Sequence, residues 1–475
     1  MAQDIQKANF TLPWYTSYNS TDIPFIYPPL ALYLMAVINR LFSIDLLFIL
    51  RFLPCLFNLL TAFAVYRLSR VIGFSKPIAT ISFAGFLLLP EGFRWLIMGG
   101  GITRAPGLLF AVLAITQLFK LFQRSSQKDT IISAIFCSAV ILTHLEMAWF
   151  TFYTAILLIF FYGRSWKSTK QAVLVAIFTL GITSPWWGTV FYRFGLSPIF
   201  TSITGSSQEW PWFIGVVTEV FSPTNEFLFP ILGTLIFIGT LYQITDKDPF
   251  LPVWAFAVFI LQSRGPLAKA TIPLSILIGI AVIQVILPIY QRKPRYSFGV
   301  FGSTFILIAS LLICILSAVA GERSLVSSLT DDERDAMVWF TDHTPESSKV
   351  LLVESDSWVV HRLSEWFPAL TRRTSVATVQ GHEFLPNNQF AQRIEQSKAL
   401  RDCVLEGSIA CIDGWAAEYS VDFSYLYIPK TPSIEKGDPF TPDDCCDRLR
   451  TAMDTAVEYQ KVFENNDAAI YAHKP

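Results

Sequence analysis

Residues 46–68 read LLFILRFLPCLFNLLTAFAVYRL, a mostly apolar run whose only charge before Arg67 is Arg51. A helix must offer about 20 such residues to cross a hydrocarbon core, so this run is long enough to span. Working outward from it, further apolar runs lie near 78–98, 105–121, 130–144, 147–162, 171–189, 227–244, 250–263, 268–289 and 297–320. The runs at 130–144, 147–162 and 250–263 are short, which leaves three readings open: a tilted span, a re-entrant segment or a misplaced end. The predicted body is therefore a polytopic α-helical membrane domain of about ten helices.

Composition agrees. The chain has 475 residues, of which 15% are charged, and a mean hydropathy of +0.45. Soluble domains carry about 25% charged residues, which argues against an ordinary cytosolic enzyme. Abundant aromatic residues (41 Phe, 16 Tyr, 13 Trp) exclude a disordered chain. The net charge of -1 hides an asymmetry. Residues 1–320 hold 21 Lys and Arg against 11 Asp and Glu, whereas residues 321–475 hold 15 against 26. We read three units: an external loop and interfacial helix at 1–45, a multi-span domain at 46–320, and an acidic soluble α/β domain at 321–475. Nothing in the pattern points to nucleic acid.

The connecting loops alternate in charge. Arg67, Arg70 and Lys76 follow the first span, and Lys120, Arg124 and Lys128 the third. Arg164, Lys167 and Lys170 follow the fifth, and Arg292, Lys293 and Arg295 the ninth. Alternation puts these four clusters on one side, which the positive-inside rule makes the cytoplasm. The acidic domain is then extracytoplasmic on a plasma membrane, where its cysteines can oxidise. The expected pattern is Cys403–Cys411, with a further link to one of the adjacent Cys445 and Cys446. The first 25 residues, polar and turn-rich, also fall outside. They resemble no signal peptide, so an upstream span missing from the chain is expected. Pro28–Phe42 is too short for a comfortable crossing and reads as a helix lying in the outer interface.

One stretch resembles a known family. Ile23-Pro24-Phe25-Ile26-Tyr27-Pro28-Pro29-Leu30, then Tyr33, looks like the YPPL element of the GT-C superfamily of integral-membrane glycosyltransferases. That superfamily includes protein O-mannosyltransferases and aminoarabinose transferases. Arg51-Phe52-Leu53-Pro54 resembles the start of its next span, and Gly99-Gly100-Gly101-Ile102-Thr103-Arg104 its second external loop. The resemblance implies transfer of a sugar from a polyprenyl-phosphate donor to a lipid, glycan or protein hydroxyl on the outer face. It implies no metal or cofactor. The family's catalytic Asp belongs in the first external loop; here it is expected upstream of Met1, with Asp4 a weaker candidate.

The chemistry selects further residues. Attack on an anomeric carbon uses a carboxylate base, and a departing lipid phosphate needs cationic or backbone partners. Glu91 and Arg94, three apart at the outer end of the second span, form either a bracing ion pair or an acceptor and phosphate contact. Arg104 follows three glycines, either a simple turn or a loop that admits an anion. His144 and Glu146 occupy an outer turn between two spans. Arg264 and Lys269 sit at another outer junction, snorkelling or gripping phosphate. Tyr27 completes the substrate-binding set. Residues 193–226, with Glu209, Trp210, Trp212 and Glu219, form a long external loop suited to a lid or to the membrane interface. A lipid-linked-sugar transporter or flippase, or a non-catalytic assembly protein, is the alternative function.

In the soluble domain, helices are predicted at 332–343, 356–366 and 444–456, and strands at 350–353, 425–428 and 468–471. Glu365-Trp366-Phe367-Pro368 and Gly381-His382-Glu383 are dense in polar and aromatic groups, suited to packing on the membrane body or to contacting an acceptor.

Overall fold

The computed structural model describes residues 1–474 apart from 98–100, 125, 199–225, 227–229, 263–264, 293–307, 317–328, 354–357, 359–360, 387 and 431–445. The chain opens with a short helix α1 (Ala2–Lys7) and a two-stranded ribbon, β1 (Tyr15–Thr16) against β2 (Ile23–Pro24). Helix α2 (Leu30–Phe42) follows. At about 1.5 Å per residue its 13 residues reach about 20 Å, short of the hydrocarbon core. It buries Ala31, Leu32, Met35 and Ala36 and exposes Leu41 and Phe42.

The membrane body comprises α3 (Leu46–Ile72), α4 (Lys76–Leu88), the short α5 (Arg94–Ile97), α6 (Gly101–Arg124), α7 (Gln127–Thr143), α8 (Leu145–Tyr162), α9 (Trp166–Phe194), α10 (Ile231–Thr245), α11 (Phe250–Leu261) and α12 (Pro266–Ile280). Helix α12 runs on through a π segment, Ala281–Ile286, to Arg292. Each predicted run holds helix in its described part, and residues 308–316 of the tenth are helical. Among the described residues, five helices are long and apolar enough to cross a membrane: α3, α6, α8, α9 and Pro266–Gln291. Helices α2, α4, α10 and α11 are apolar but shorter. The second run is the one the structure breaks. Pro90 ends the helical path after Leu88, and a 3-10 turn (Pro90–Gly92) leads to α5.

Local signals set the helix ends. Asp45 caps α3 by accepting from the N–H groups of Leu47 (2.7 Å) and Phe48 (3.2 Å), and Gly73 closes it at φ +119°. Helix α6 is buried on nearly all sides and forms the centre of the bundle. Around it α3, α4, α8, α11 and α12 share one core, in which fully buried Trp254 stacks near Phe150 and donates to Thr154 Oγ1 at 3.0 Å.

The soluble part has a five-stranded sheet of order β4 (Thr374–Ser375), β3 (Lys349–Leu352), β5 (Tyr425–Pro429), β7 (Ala468–His473), β6 (Tyr459–Glu464). Pairings are parallel from β4 to β5 and antiparallel from β5 to β6. Alternation along the strands serves two cores. Val350, Leu352 and Tyr427 face α13 (Asp331–His343) and α14 (Arg362–Thr371). Leu351, Leu426 and Ile428 face α15 (Gln389–Glu406), α16 (Ile409–Glu418) and α17 (Asp447–Thr455). Cys403 is bonded to Cys411 across α15 and α16; Cys446 is also disulfide-bonded, and Cys445 lies outside the described residues. Thr330 and Glu333 form a capping box on α13, and the fully buried Glu333 carboxylate takes a two-pronged grip from Arg362 (2.7 and 3.1 Å). The helix expected at 356–366 starts instead at Arg362, because the His361 side chain accepts from the Ser364 N–H. Helices α15 and α16 and strand β6 were not predicted.

Candidate functional site between the bundle and the soluble domain

The N-terminal segment brings the two parts together. The Asn19 side chain donates to the Ser375 carbonyl (3.0 Å) and accepts from its N–H (2.7 Å), while Tyr18 donates to the Glu365 carbonyl (2.9 Å). Asn19 holds φ +54°, a conformation asparagine tolerates better than most residues. Opposite it, Gly381 stands at φ +92°, and a Cβ there would come within 2.3 Å of Ile23 Cδ1. Only glycine permits this approach.

That contact carries residues 381–384 to Tyr27. The Tyr27 ring meets Phe384 edge-on at 6.5 Å and His144 at 6.3 Å. Its hydroxyl lies 3.3 Å from Thr103 Oγ1, one residue from Arg104 on the first turn of α6. The turn between α7 and α8 is close because α6 presents Gly107 to it. A Cβ at Gly107 would lie 3.0 Å from His144 Cβ and 3.1 Å from Met147 Cγ. His144 ends α7 and precedes α8, and Glu146 sits in the first turn of α8. Glu146 reaches Lys269 Nζ at 3.0 Å. Lys269 is 0% exposed and its partner's side chain 29%, so the pair joins a buried ammonium to a carboxylate with access to water.

Charge converges here. Burial pushes the Tyr27 phenol above its ordinary pKa, and Glu146 and Glu383 push the same way against Thr103 and Arg104. Tyr27 is thus a neutral hydroxyl at physiological pH. The protein around Glu365 raises its carboxyl although the side chain keeps accessible surface, and Arg104 opposes the rise. Arg104 therefore senses both Glu365 of the soluble domain and the hydroxyl of Tyr27.

The structure gathers Tyr27, Arg104, His144, Glu146 and Lys269 from the predicted set. Glu91 and Arg94 do form an ion pair at 3.0 Å, but from the 3-10 turn after the break to α5 rather than along one helix. Arg264, Gly99, Gly100 and the tryptophans of the 193–226 loop lie outside the described residues. Asp4 is buried in α1. Its oxygens accept from Thr16 Oγ1 (3.0 Å), Ser17 Oγ (2.6 Å) and the Ser17 N–H (3.3 Å), and the Met1 ammonium is 3.0 Å away. Burial would raise its carboxyl, but the ammonium and these hydroxyls prevail and hold it below its usual value. Thr103, Glu365 and Glu383 were not in the predicted set. The 381–383 and 365–368 stretches are expected to pack on the membrane body or contact an acceptor, but no local signal tied them to Tyr27.

Residues 27–188 match the family model described as dolichyl-phosphate-mannose-protein mannosyltransferase. No curated protein sequence matches the chain. Among solved structures, the chain is similar to ArnT from Cupriavidus metallidurans in the apo state. The likeness has 15% sequence identity and a TM-score of 0.50, covering 99% of this chain and 92% of that one. That likeness is one of fold, and it extends over the bundle and the soluble domain alike. The segment that resembles the mannosyltransferase family model begins at the YPPL tyrosine, and the fold that carries it is like that of ArnT.

Proposed function

We propose that the chain transfers a sugar from a polyprenyl-phosphate donor to a hydroxyl of a lipid, glycan or protein. The reaction takes place on the outer face, between the membrane body and the soluble domain. The observation that carries this reading is the meeting of Arg104 and the Lys269–Glu146 pair around Tyr27 at one end of the bundle. A lipid phosphate leaving an anomeric carbon is an anion of low basicity and needs no proton donor. It needs fixed positive charge, whose planar, two-pronged form is an arginine. In this reading Arg104 holds the departing phosphate and Lys269 adds charge behind it. Tyr27 and Glu146 orient the sugar, and Glu365 and Glu383 face the acceptor. The division at about residue 320 then has a purpose: the spans bind the prenyl chain, and the domain closes the polar side of the site.

The test is turnover of polyprenyl-phosphate sugars by the full chain in lipid nanodiscs. Release of sugar, reduced about 100-fold by Arg104→Gln as for loss of a charge-stabilising donor, is expected. Failure to use any such donor, or an Arg104→Gln variant as active as the parent, overturns the reading.

A further inference from the structure

The far end of α6 holds a second cluster of charge, away from Tyr27. Sixteen residues separate Arg104 from Lys120 and twenty separate it from Arg124, or about 24–30 Å of helix, close to the thickness of a hydrocarbon core. There a cavity of about 390 Å³ is lined by Arg67, Gln117, Lys120, Arg124, Lys128 and Asp129, together with Ser126 and Ile132. That volume lies within the range of small-ligand pockets. Four cations face it against one carboxylate. None of Arg67, Lys120, Arg124 and Lys128 makes a hydrogen bond or ion pair among the described residues.

Two backbone features add to the charge. Ser126 is the N-cap of α7, and its side chain bonds no first-turn N–H, so the positive end of a 17-residue helix opens on the cavity. Lys120 is half-buried rather than splayed into water, so its charge is drawn in towards Arg67 and Arg124. Like charges held together in a partly desolvated cavity repel; an anion between them removes that cost. The mouth is also apolar on one side. Ile132 lines it, and Ile131 and Ile135 on the adjoining strip of α7 are more than half exposed.

We propose that this cavity binds the phosphate of an anionic lipid, with the headgroup among Arg67, Lys120, Arg124 and Lys128 and an acyl chain along Ile131 and Ile135. A solvated basic loop would attract anionic lipid too, but through charge number alone, at about 1 kcal/mol per residue near the surface. A built cavity makes position matter.

The experiment is calorimetric titration of the detergent-purified full chain with dihexanoyl phosphatidylglycerol, dihexanoyl phosphatidylcholine or inorganic phosphate. Two double variants lose equal charge: Lys120→Gln/Arg124→Gln in the cavity and Lys167→Gln/Lys170→Gln at the start of α9. Both must elute as the parent does and unfold at similar temperature; Arg67→Gln replaces the first variant if it fails to fold. Binding of phosphatidylglycerol weakened at least tenfold by the cavity variant, less than twofold by the other, and poor for phosphatidylcholine, supports the proposal. Phosphate binding as tightly as the lipid, lost in the cavity variant alone, supports the anion site and overturns its assignment to a lipid. No binding of any probe, or equal weakening in both variants, overturns the site.

Discussion

At the residue scale, the site's strongest commitment is the Lys269–Glu146 pair, and its asymmetry is a prediction. Lys269 is fully buried, whereas Glu146 keeps access to solvent. Removing the carboxylate takes away a counter-charge 3.0 Å from a buried ammonium; removing the ammonium leaves a carboxylate that water can reach. Glu146→Gln is therefore expected to destabilise the chain by about 3–5 kcal/mol, the usual cost of breaking a buried pair. Lys269→Met, which keeps the stem's packing, is expected to cost clearly less. Thermal unfolding of the two variants in one detergent checks this, and equal costs would contradict the burial argument. His382 gives a second prediction. It is 3% exposed, and burial, with Arg393 nearby, lowers its pKa from 6.5 to about 4. The folded state thus binds fewer protons than the unfolded one between those values. The stability from keeping this ring neutral is present in full above pH 6.5 and is lost as pH falls towards 4. At pH 5 the loss amounts to about 2 kcal/mol. His382→Gln is expected to flatten the fall in unfolding temperature between pH 7 and pH 5, and an unchanged slope would assign the acid sensitivity elsewhere.

At the element scale, the clasp between residues 18–23 and the soluble domain holds the site's two halves in register. Asn19 is 3% exposed and exchanges two hydrogen bonds with the Ser375 backbone. Asn19→Ala orphans a buried N–H and C=O and gives up the side chain suited to φ +54°, so a cost of about 1–3 kcal/mol follows. Protease susceptibility should rise in the soluble domain before the bundle unfolds. The same elements show what the sequence makes legible. Apolar length alone announces α3, α6, α8, α9 and α12, because lipid demands internal hydrogen bonding over about 20 residues. The break at Pro90 is also written in the chain, since proline cannot continue the ladder. Yet the reading of 78–98 as one helix let hydropathy outweigh it. Helices α15 and α16 escaped prediction because their buried residues are sparse, among them Phe390, Leu400, Cys403 and Val404 on α15, and two ordinary amphipathic helices leave only a weak stripe. In the site, Tyr27, Arg104, Glu146 and Lys269 were legible because ionisable or polar groups beside apolar spans are costly and therefore conspicuous. Glu365 and Glu383 were not. They lie in a polar domain where carboxylates are common, and only the approach of Gly381 to Ile23, some 360 residues apart in sequence, selects them.

At the scale of the whole molecule, geometry separates two ends of the bundle. Tyr27, Arg104 and the soluble domain share one end through the Thr103 and Phe384 contacts. Arg67, towards the C-terminal end of α3, meets Lys120, Arg124 and Lys128 at the other. The basic clusters after the first and third spans therefore gather on one face, as alternation requires. A bundle so polarised has an orientation that charge predicts, with the basic end cytoplasmic and the soluble domain outside. Two exposed positions report it: Lys167, in the first turn of α9, and Glu418, at the end of α16. In a Cys55→Ser background, which removes the exposed thiol of α3, a membrane-impermeant maleimide applied to intact cells should label Glu418→Cys. Lys167→Cys should react only after permeabilisation. Sugar transfer on the outer face needs this arrangement, because Arg104 and the domain that covers it must sit where the carrier presents its sugar. The reverse labelling would place them in the cytosol. The anion cavity at the opposite end would then face outward, and the charge logic that orients the bundle would fail with the proposed reaction.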